Sequence, residues 1–337
     1  MNPRVSILLP VYNGGKYLDA AIRSIVGQTF QNWELLVLDD GSTDGSLEVA
    51  RAFPDERVRS LPNDENLGVA KTLNRAMAQA RGEFIARMDA DDEALPERLA
   101  KQVTFFEKNP QVGLLGTNAL SAETGELTFA VPTEHEDIRC NLLFNCSFLH
   151  PTVMWRAAVF RENGLAYEEQ PTAEDYDLWE RACQKLQSAN LREPLLRYRN
   201  DPEVKLTSYV CQQKMGGRNI RERALRRVGL NPTPEEMEIH HAVSYDNLPQ
   251  PAVPLSEVDA WLKKILTANR KAQALAAEPL RQRLHLQRYY HLMRNRPKAT
   301  IRQCFRAGRE MGRVPLRLAV ASAAKTLKES RIRRTAG

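Results

Sequence analysis

Hydrophobic positions at the start of the chain form one nearly unbroken run, which is followed by a helical repeat. Residues 5–11 are almost all apolar, which is typical of a strand covered on both faces of a sheet. The turn residues at 12–15 end this run. Leu18, Ile22 and Ile25 then recur at the spacing of one helix face. The pattern predicts a buried strand, a turn and an amphipathic helix.

The alternation of buried runs and helical repeats continues to about residue 200. Strands alternating with helices predict βαβ units in a mostly parallel sheet. We therefore predict an α/β fold with helices flanking the sheet. The predicted strands cover residues 5–11, 33–38, 58–61, 83–88, 112–120 and 194–198, and the helices between them include 68–80 and 137–144.

From about residue 206 the pattern predicts helices only. We divide the chain into a catalytic domain at 1–205, a helical and linker region at 206–254, and a basic α-helical region at 255–337. The linker is the Pro-rich stretch at 247–254. The predicted helices are residues 209–228, 255–268, 276–294, 299–311 and 315–332.

Composition narrows the class of protein. The 337 residues are 42% hydrophobic and 27% charged, which excludes a fibrous or disordered chain. No apolar run reaches the length of a membrane span, and the start of the chain lacks the pattern of a secretory signal. The five cysteines lack Cys-x-x-Cys spacing, which argues against structural zinc and a disulfide framework. We therefore expect a protein of the reducing cytoplasm.

Polar residues follow three of the predicted strands directly. They are Tyr12 and Asn13 after the first strand, Asp39 and Asp40 after the second, and residues 89–92 after the fourth. In open parallel sheets, ligands bind beyond the carboxyl ends of the strands. The three groups should therefore converge on one edge of the sheet.

The densest carboxylate group is Asp89, Asp91 and Asp92. Carboxylates this close together repel one another unless a cation lies between them. Oxygen ligands suit Mg²⁺ or Mn²⁺, which takes the rest of its shell from water and substrate phosphates. The alternative is an acidic turn that caps the next helix.

Three further segments have both a structural and a functional interpretation. Asp40 lies in an Asp-Asp-Gly-Ser-Thr-Asp sequence that forms a turn and helix cap or else binds a base or ribose. Asn66, Gly68 and Lys71 open a helix and either cap it or contact a nucleotide. His150 precedes a proline and is either structural or a ligand of the metal or diphosphate.

A fourth segment carries a candidate general base. Glu174 and Asp175 fall in the first turn of a predicted helix, where the helix dipole favours carboxylates in any case. A desolvated carboxylate in a cleft is also suited to removing a proton from a hydroxyl. Trp179, on the same helix, belongs either to the acceptor side or to the core.

Taken together, these segments resemble the family 2 glycosyltransferases, which have the GT-A fold. The resemblance covers residues 3–205 and includes the family's Asp-x-Asp motif at 89–91. Gly14 stands where the family often has a glutamate, which leaves one ribose contact open. The other matching segments are Val-Ser-Ile-Leu-Leu-Pro-Val-Tyr-Asn at 5–13, Leu-Asp-Asp-Gly-Ser-Thr-Asp at 38–44, Asn-Leu-Gly at 66–68, His-Pro-Thr-Val-Met at 150–154 and Glu-Asp-Tyr-Asp-Leu-Trp at 174–179.

The resemblance implies transfer of a sugar from a nucleotide-diphosphate donor, with a UDP-sugar favoured, and inversion at the anomeric carbon. It implies that Asp91, Asp89 and His150 hold Mn²⁺ or Mg²⁺ and that Asp175 is the base. Glu174 and Trp179 would lie on the acceptor side. The implied donor contacts are Pro10, Tyr12, Asn13, Asp40, Asn66, Gly68, Lys71, Asp89 and Ala90.

The implied acceptor is a hydroxyl of a glycan or of a lipid-linked acceptor in bacterial surface polysaccharide synthesis. A sugar-phosphate nucleotidyltransferase is the same-fold alternative, but Gly14-Gly15-Lys16 only poorly matches the loop such enzymes carry. A non-catalytic nucleotide-sugar-binding module is the alternative from another class. The sequence leaves the oligomeric state open.

Basic residues dominate the end of the chain, and its net charge is +6. Basic helices in this region either contact the inner face of an anionic plasma membrane or pack against protein. No aromatic and basic RNA motif is present, so we do not expect nucleic acid as a partner.

Overall fold

A computed structural model of the chain describes residues 2–128, 131–169, 173–199, 208–244 and 253–294. These residues fall into two compact units. The first lies within 1–139 and 146–220, and the second within 140–145 and 221–337. No helix among the described residues has the length and apolar character needed to cross a bilayer.

The first unit is built on one sheet of eight strands. Its order is β3-β2-β1-β4-β7-β6-β8-β5. The pairs β3/β2, β2/β1, β1/β4 and β6/β8 are parallel, and the other three pairs are antiparallel. The strands are β1 (Val5–Val11), β2 (Trp33–Asp39), β3 (Val58–Ser60), β4 (Phe84–Arg87), β5 (Glu93–Ala94), β6 (Val112–Ser121), β7 (Met154–Arg156) and β8 (Gln187–Tyr198).

Helices connect and flank these strands, as the alternating pattern predicted. Leu18, Ile22 and Ile25 are fully buried in the first helix, where helical spacing placed them on one face. The helices are α1 (Gly15–Val26), α2 (Ser46–Arg51), α3 (Val69–Gln79), α4 (Arg98–Lys108), α5 (His135–Leu142), α6 (Ala157–Glu162) and α7 (Glu174–Ala182).

The sheet is mixed, although its N-terminal half is parallel as predicted. β1 is buried along all but one position and β2 along its whole length, which confirms that helices cover both faces. β5 and β7, which the sequence pattern did not predict, have only two and three residues. β8 begins at Gln187 rather than at 194, because residues from 187 onward pair with β6. This half of the strand has no apolar run, so the pattern did not predict it.

The second unit is helical. Its helices are α8 (Ser208–Arg227, of which residues from 221 belong here), α9 (Pro234–Ser244), α10 (Leu255–Ala272) and α11 (Ala277–Arg294). Its core includes Phe144, Leu225, Trp261 and Ile265. The predicted helices at 299–311 and 315–332, most of the 247–254 linker and the 205/206 boundary lie outside the described residues, so they stay predictions.

A buried histidine ties the second unit together. The His240 ring nitrogen Nε2 lies 2.9 Å from the Leu143 carbonyl oxygen, and Nδ1 accepts a hydrogen bond from Trp261 at 3.1 Å. These two contacts fix the proton on Nε2. Burial lowers the pKa of His240 to about 3, so the ring is neutral near pH 7.

A buried carboxylate stabilises the amino-terminal edge of the sheet. Glu34 is 2% exposed and accepts hydrogen bonds from the Ser6 hydroxyl at 2.6 Å, Arg59 at 3.0 Å and Arg81 at 2.6 Å. Burial alone would raise the pKa of Glu34, but these donors together hold it below its usual value. The carboxylate therefore stays charged in the folded protein.

We expect Glu34→Gln to lower the free energy of unfolding at pH 7 by about 2 kcal/mol, because charge-assisted bonds to two arginines are lost. Denaturant unfolding measures this loss, with the exposed Glu107→Gln as control. The lowered pKa means that the stabilisation exists above the unfolded-state pKa of about 4.3 and disappears as pH falls below it. The difference in free energy of unfolding between wild type and Glu34→Gln should therefore narrow in acid. A difference independent of pH would contradict this assignment.

Candidate active site

The polar groups after β1, β2 and β4 meet at one edge of the sheet. The register pairs Val11 with Asp39 and Leu8 with Arg87, so all three strands end at this edge. The Asp40 amide donates to the Val11 carbonyl at 2.8 Å, and the Asn13 side-chain oxygen accepts from the Thr43 amide at 2.9 Å. The structure thus confirms the predicted convergence.

Asp40 is buried and fully engaged by protein donors. Its Oδ1 accepts from Asn63 at 2.6 Å, Thr72 at 2.8 Å and the Leu67 amide at 2.9 Å. Its Oδ2 accepts from the Gly68 amide at 2.9 Å. Asp40 therefore anchors the start of α3 to the end of β2.

The neighbouring Asp39 has spare acceptor capacity. It is 2% exposed, and Oδ2 accepts from the Ser42 amide at 3.2 Å, whereas Oδ1 has no partner among the described residues. A buried oxygen without a partner is costly unless a ligand supplies a donor. Asp39 is thus a better candidate than Asp40 for a direct contact with a base.

The start of α3 carries three of the predicted donor-site residues. Gly68 precedes the helix with a φ of 82°, which favours glycine, and its amide also lies 3.2 Å from the Asn66 side-chain oxygen. Lys71 is half exposed and pairs with Glu169 at 3.3 Å. Its charge is therefore already partly balanced by an exposed glutamate.

The remaining donor-site residues lie around the end of β1. Pro10 is the one partly exposed residue of β1. Tyr12 is 54% exposed, a large aromatic surface for a folded protein. Ala90 lies beside the β1 turn, since a Cβ atom added at Gly14 would be 3.6 Å from the Ala90 methyl.

Three carboxylates cluster at the end of β4. Ligand oxygens of Asp89, Asp91 and Asp92 all lie within 4.8 Å of one another. Burial, and then the charge of Asp89, raise the pKa of Asp92 to about 9 and also raise the pKa of Asp91. Oδ2 of Asp92 is buried without a partner among the described residues. A divalent cation would relieve the repulsion and supply the missing partner, so the group fits such an ion.

Two arginines that the sequence analysis did not single out contact this cluster. Arg87 is 4% exposed and forms an ion pair with Asp89. Burial would lower the pKa of Arg87, but Asp89 raises it above its usual value, so Arg87 stays charged. Arg199 donates its amide to Asp92 at 2.8 Å and its Nε to the Asp91 carbonyl at 3.1 Å.

Of the two arginines, Arg87 could have been predicted from the sequence and Arg199 could not. An arginine inside an otherwise apolar strand, next to a carboxylate, is itself a signal, and Arg87 could have been found in this way. Arg199 follows β8 and is 107 residues from Asp92, so no local pattern links the two.

Glu174 and Asp175 begin α7, as predicted. Burial, then the charge of Asp175, raise the pKa of Glu174 to about 7. Burial also raises the pKa of Asp175, while the Tyr176 amide, which donates to Oδ1 at 2.7 Å, and the Arg87 charge oppose the rise. Asp175 is thus within electrostatic reach of the Arg87–Asp89 pair.

The structure places His150 and Trp179 among aromatic residues. His150 lies outside the group of three carboxylates, and its Nε2 is 2.8 Å from the Tyr167 hydroxyl oxygen. Burial and the Arg87 charge lower the pKa of His150, so the ring is neutral. Trp179 has no exposed surface and packs against Phe148, His150, Trp155, Phe160 and Tyr167. Trp179 therefore belongs to the core.

The mixed sheet flanked by helices has the GT-A fold. A crystal structure of S. aureus TarS 1–349 in complex with UDP-GlcNAc superposes with a TM-score of 0.58 and 19% identity. The match covers 87% of this chain and 92% of that one. At this identity the likeness concerns the fold.

Sequence comparisons give the family. The model of Glycosyl transferase family 2 matches residues 6–162. EpsE of Bacillus subtilis, a glycosyltransferase by name, is 34% identical over 210 residues, which cover 60% of this chain and 75% of EpsE. The O-antigen biosynthesis glycosyltransferase WbnJ of Escherichia coli is 31% identical over 229 residues, which cover 65% and 88%. The chain belongs to glycosyl transferase family 2.

A third relative shows how far the shared region extends. An uncharacterized glycosyltransferase of Haemophilus influenzae is 35% identical over 214 residues, or 58% of this chain. The chain spans 65% of that relative's length.

Replacing the carboxylates of Asp39 and Asp40 with amides should lower the free energy of unfolding by different amounts. We expect Asp40→Asn to lower the free energy of unfolding by about 2 kcal/mol, because an amide cannot accept all four bonds. Asp39→Asn should cost clearly less, since only one of its oxygens has a protein partner. Denaturant unfolding of both variants measures the difference, and equal losses would contradict the anchoring role of Asp40.

Proposed function

We propose that this family 2 member is a metal-dependent, inverting glycosyltransferase that uses a nucleotide-diphosphate sugar. The observation that carries the proposal is the group of Asp89, Asp91 and Asp92 at the end of β4, in electrostatic reach of Asp175. This arrangement provides a cation site beside a desolvated carboxylate. A UDP-sugar is the favoured donor, and the UDP-GlcNAc complex of TarS supports that choice.

The donor would lie across the carboxyl ends of β1, β2 and β4. Tyr12 offers an exposed ring for stacking on the base. Asp39, through its unpartnered Oδ1, would accept from the base, while Asp40 holds the α3 turn in place. Asn66 and Lys71 lie at the same turn, where the N-terminus of α3 favours a negatively charged ligand.

Asp91 and Asp89 would hold the cation, and the structure adds Asp92 as a third candidate ligand. Mn²⁺ or Mg²⁺ bound there supplies Lewis-acid stabilisation for the departing diphosphate. Arg199 would offer a positive charge at the same turn. We infer that His150 acts through Tyr167 rather than as a metal ligand, because its Nε2 already faces that hydroxyl.

Asp175 would act as the general base. Its carboxylate takes the proton of the acceptor hydroxyl while that oxygen attacks the anomeric carbon and the nucleoside diphosphate leaves. One displacement inverts the configuration, so one carboxylate is sufficient. Burial raises the pKa of Asp175, which makes it a stronger base than an exposed aspartate. Glu174, beside it, would contact the acceptor.

The acceptor is proposed as a hydroxyl of a glycan or a lipid-linked glycan in cell-surface polysaccharide synthesis. The support is the relative WbnJ, whose name assigns it to O-antigen biosynthesis. A nucleotidyltransferase is less favoured, because the β1 turn at Gly14 and Gly15 is tied to Ser46 and Asp44 and supplies no arginine.

Two variants separate the cation site from the base. We expect Asp91→Asn to abolish Mn²⁺-dependent binding of the nucleotide in calorimetry with UDP, GDP, dTDP and CDP, each tested with Mn²⁺ and with EDTA. Asp175→Asn should bind the same nucleotide normally but lose transfer by at least 100-fold, because the general base is absent.

Lys108→Gln, on the exposed end of α4, serves as control for both measurements. Unchanged metal-dependent binding in Asp91→Asn would refute the cation site. Normal turnover in Asp175→Asn would place the base elsewhere, and nucleotide binding by the wild type without any transfer would favour the binding-module alternative.

We also propose peripheral contact with an anionic membrane through the basic C-terminal region. Residues 295–337 contain twelve Lys and Arg but only two Asp and Glu. Within the second unit, a groove of about 490 Å³ is lined by Lys263, Lys264 and Lys271 around Leu230 and Ala268. Lys263 and Lys271 have no acidic partner among the described residues. An apolar floor with a lysine rim suits an anionic lipid headgroup.

The double variant Lys263→Gln/Lys271→Gln should bind vesicles containing phosphatidylglycerol about 30-fold more weakly than wild type at low salt, since each surface lysine contributes about 1 kcal/mol. Co-sedimentation with neutral and anionic vesicles measures this change. Lys108→Gln/Arg161→Gln removes the same charge from the first unit. An equal loss of vesicle binding in that control would show that net charge alone explains the effect. It would refute the groove as the membrane contact.

A further inference from the structure

The segment that leads into α7 is held by a side chain of α3. The Asn74 amide nitrogen donates to the Tyr167 carbonyl at 2.8 Å, and the Asn74 side-chain oxygen accepts from the Tyr167 amide at 3.0 Å. Only one orientation of the amide satisfies both bonds. The two bonds join residues that are 93 positions apart in the chain.

The Tyr167 side chain contacts residues of the candidate site and of α7. Its side chain is 3% exposed, its hydroxyl oxygen lies 2.8 Å from His150 Nε2, and its ring is 6.2 Å from that of Trp179. Burial raises the pKa of Tyr167, the charge of Arg87 opposes this, and Asp175 adds to it. The tyrosine is therefore packed between α3, the His150 turn and the start of α7.

Further contacts fix the residues on either side of Tyr167. The Ala166 carbonyl accepts from Arg181 of α7 at 2.7 Å, and Glu169 pairs with Lys71 of α3 at 3.3 Å. Ala173 then precedes α7 with a φ of 64°, a conformation that is strained for alanine. A strained start to α7 needs support from its surroundings. The contacts of Arg181 with the Ala166 carbonyl and of Trp179 with the Tyr167 ring join α7 directly to the attached residues.

We propose that Asn74 and Tyr167 are positioning residues for the transfer reaction, which hold the base-bearing start of α7 in register with the donor-side helix α3. This inference rests on the proposed function, because it takes Asp175 as the base. Asp40 anchors the N-terminus of the same helix, so α3 links the donor edge on one side to the base on the other.

Loss of the attachment should impair the chemical step while donor binding persists. The donor side of α3 is held by Asp40, which does not contact Asn74. A displacement of the base by about 1 Å is enough to cost up to 100-fold in rate. We therefore expect Asn74→Ala to lower kcat by ten- to 100-fold with the donor KM within about twofold of wild type.

The experiment compares Asn74→Ala and Asn74→Asp with wild type in the full chain at saturating Mn²⁺, because Asn74→Asp keeps the shape of the side chain but cannot donate to the Tyr167 carbonyl. It measures kcat, the donor KM, the Kd of the nucleoside diphosphate by calorimetry, and the thermal midpoint. Asn163→Ala is the matched control, since Asn163 donates to the Val159 carbonyl at 2.9 Å. Val159 lies against Gly113 at the start of β6, the opposite end of that strand from the site.

A selective loss of kcat in both site variants, absent from Asn163→Ala, is the expected result. A lower thermal midpoint in the Asn74 variants, with kcat per folded molecule unchanged, would show a purely structural role and overturn the inference. Asn74→Asp nearly preserves the volume of the side chain, so it decides the matter where Asn74→Ala does not fold. Failure of the proposed function is recognised separately, because wild type would then show no transfer and Asp175→Asn no defect.

Discussion

The candidate site depends on how the negative charge at the end of β4 is balanced. Three carboxylates lie within 4.8 Å of one another, and the nearest fixed counter-charge is the buried guanidinium of Arg87, paired with Asp89. Arg87 also offsets Asp175, so one cation lowers the cost of two acidic groups. Burial, and then the remaining repulsion, raise the pKa values of Asp91 and Asp92, a cost that a divalent ion would relieve.

Most of the first unit could be predicted because its strands bury both faces. β1 and β2 are continuous apolar runs, so pattern alone located them to within a residue. β5 and β7 could not be predicted, since two or three residues carry no period and form strands only by pairing with β8, β4 and β6. α9 was also missed, because its buried residues include His240, a type that pattern analysis assigns to the surface.

The site was predicted to the level of segments but not of individual atoms. The pattern placed Asn13, Asp40 and Asp89 at one edge of the sheet, because parallel strands end together. The sequence pattern could not show that Asp40 accepts hydrogen bonds from four protein donors, whereas Asp39 has an oxygen without a partner among the described residues. Nor could it place His150 and Trp179, whose neighbours come from distant segments.

The β5–β8 pairing has a consequence for the order of assembly during synthesis. The turn that follows Asp89 is closed by Ala94 pairing with Leu196 and by the Arg199 amide on Asp92, contacts that span about 100 residues. Domains fold from the N-terminus as the ribosome releases the chain. β1 to β4 therefore emerge well before β8, and the aspartate turn reaches its final geometry only after β8 has joined the sheet. A nascent chain consequently lacks the finished aspartate turn while its first strands are already in place.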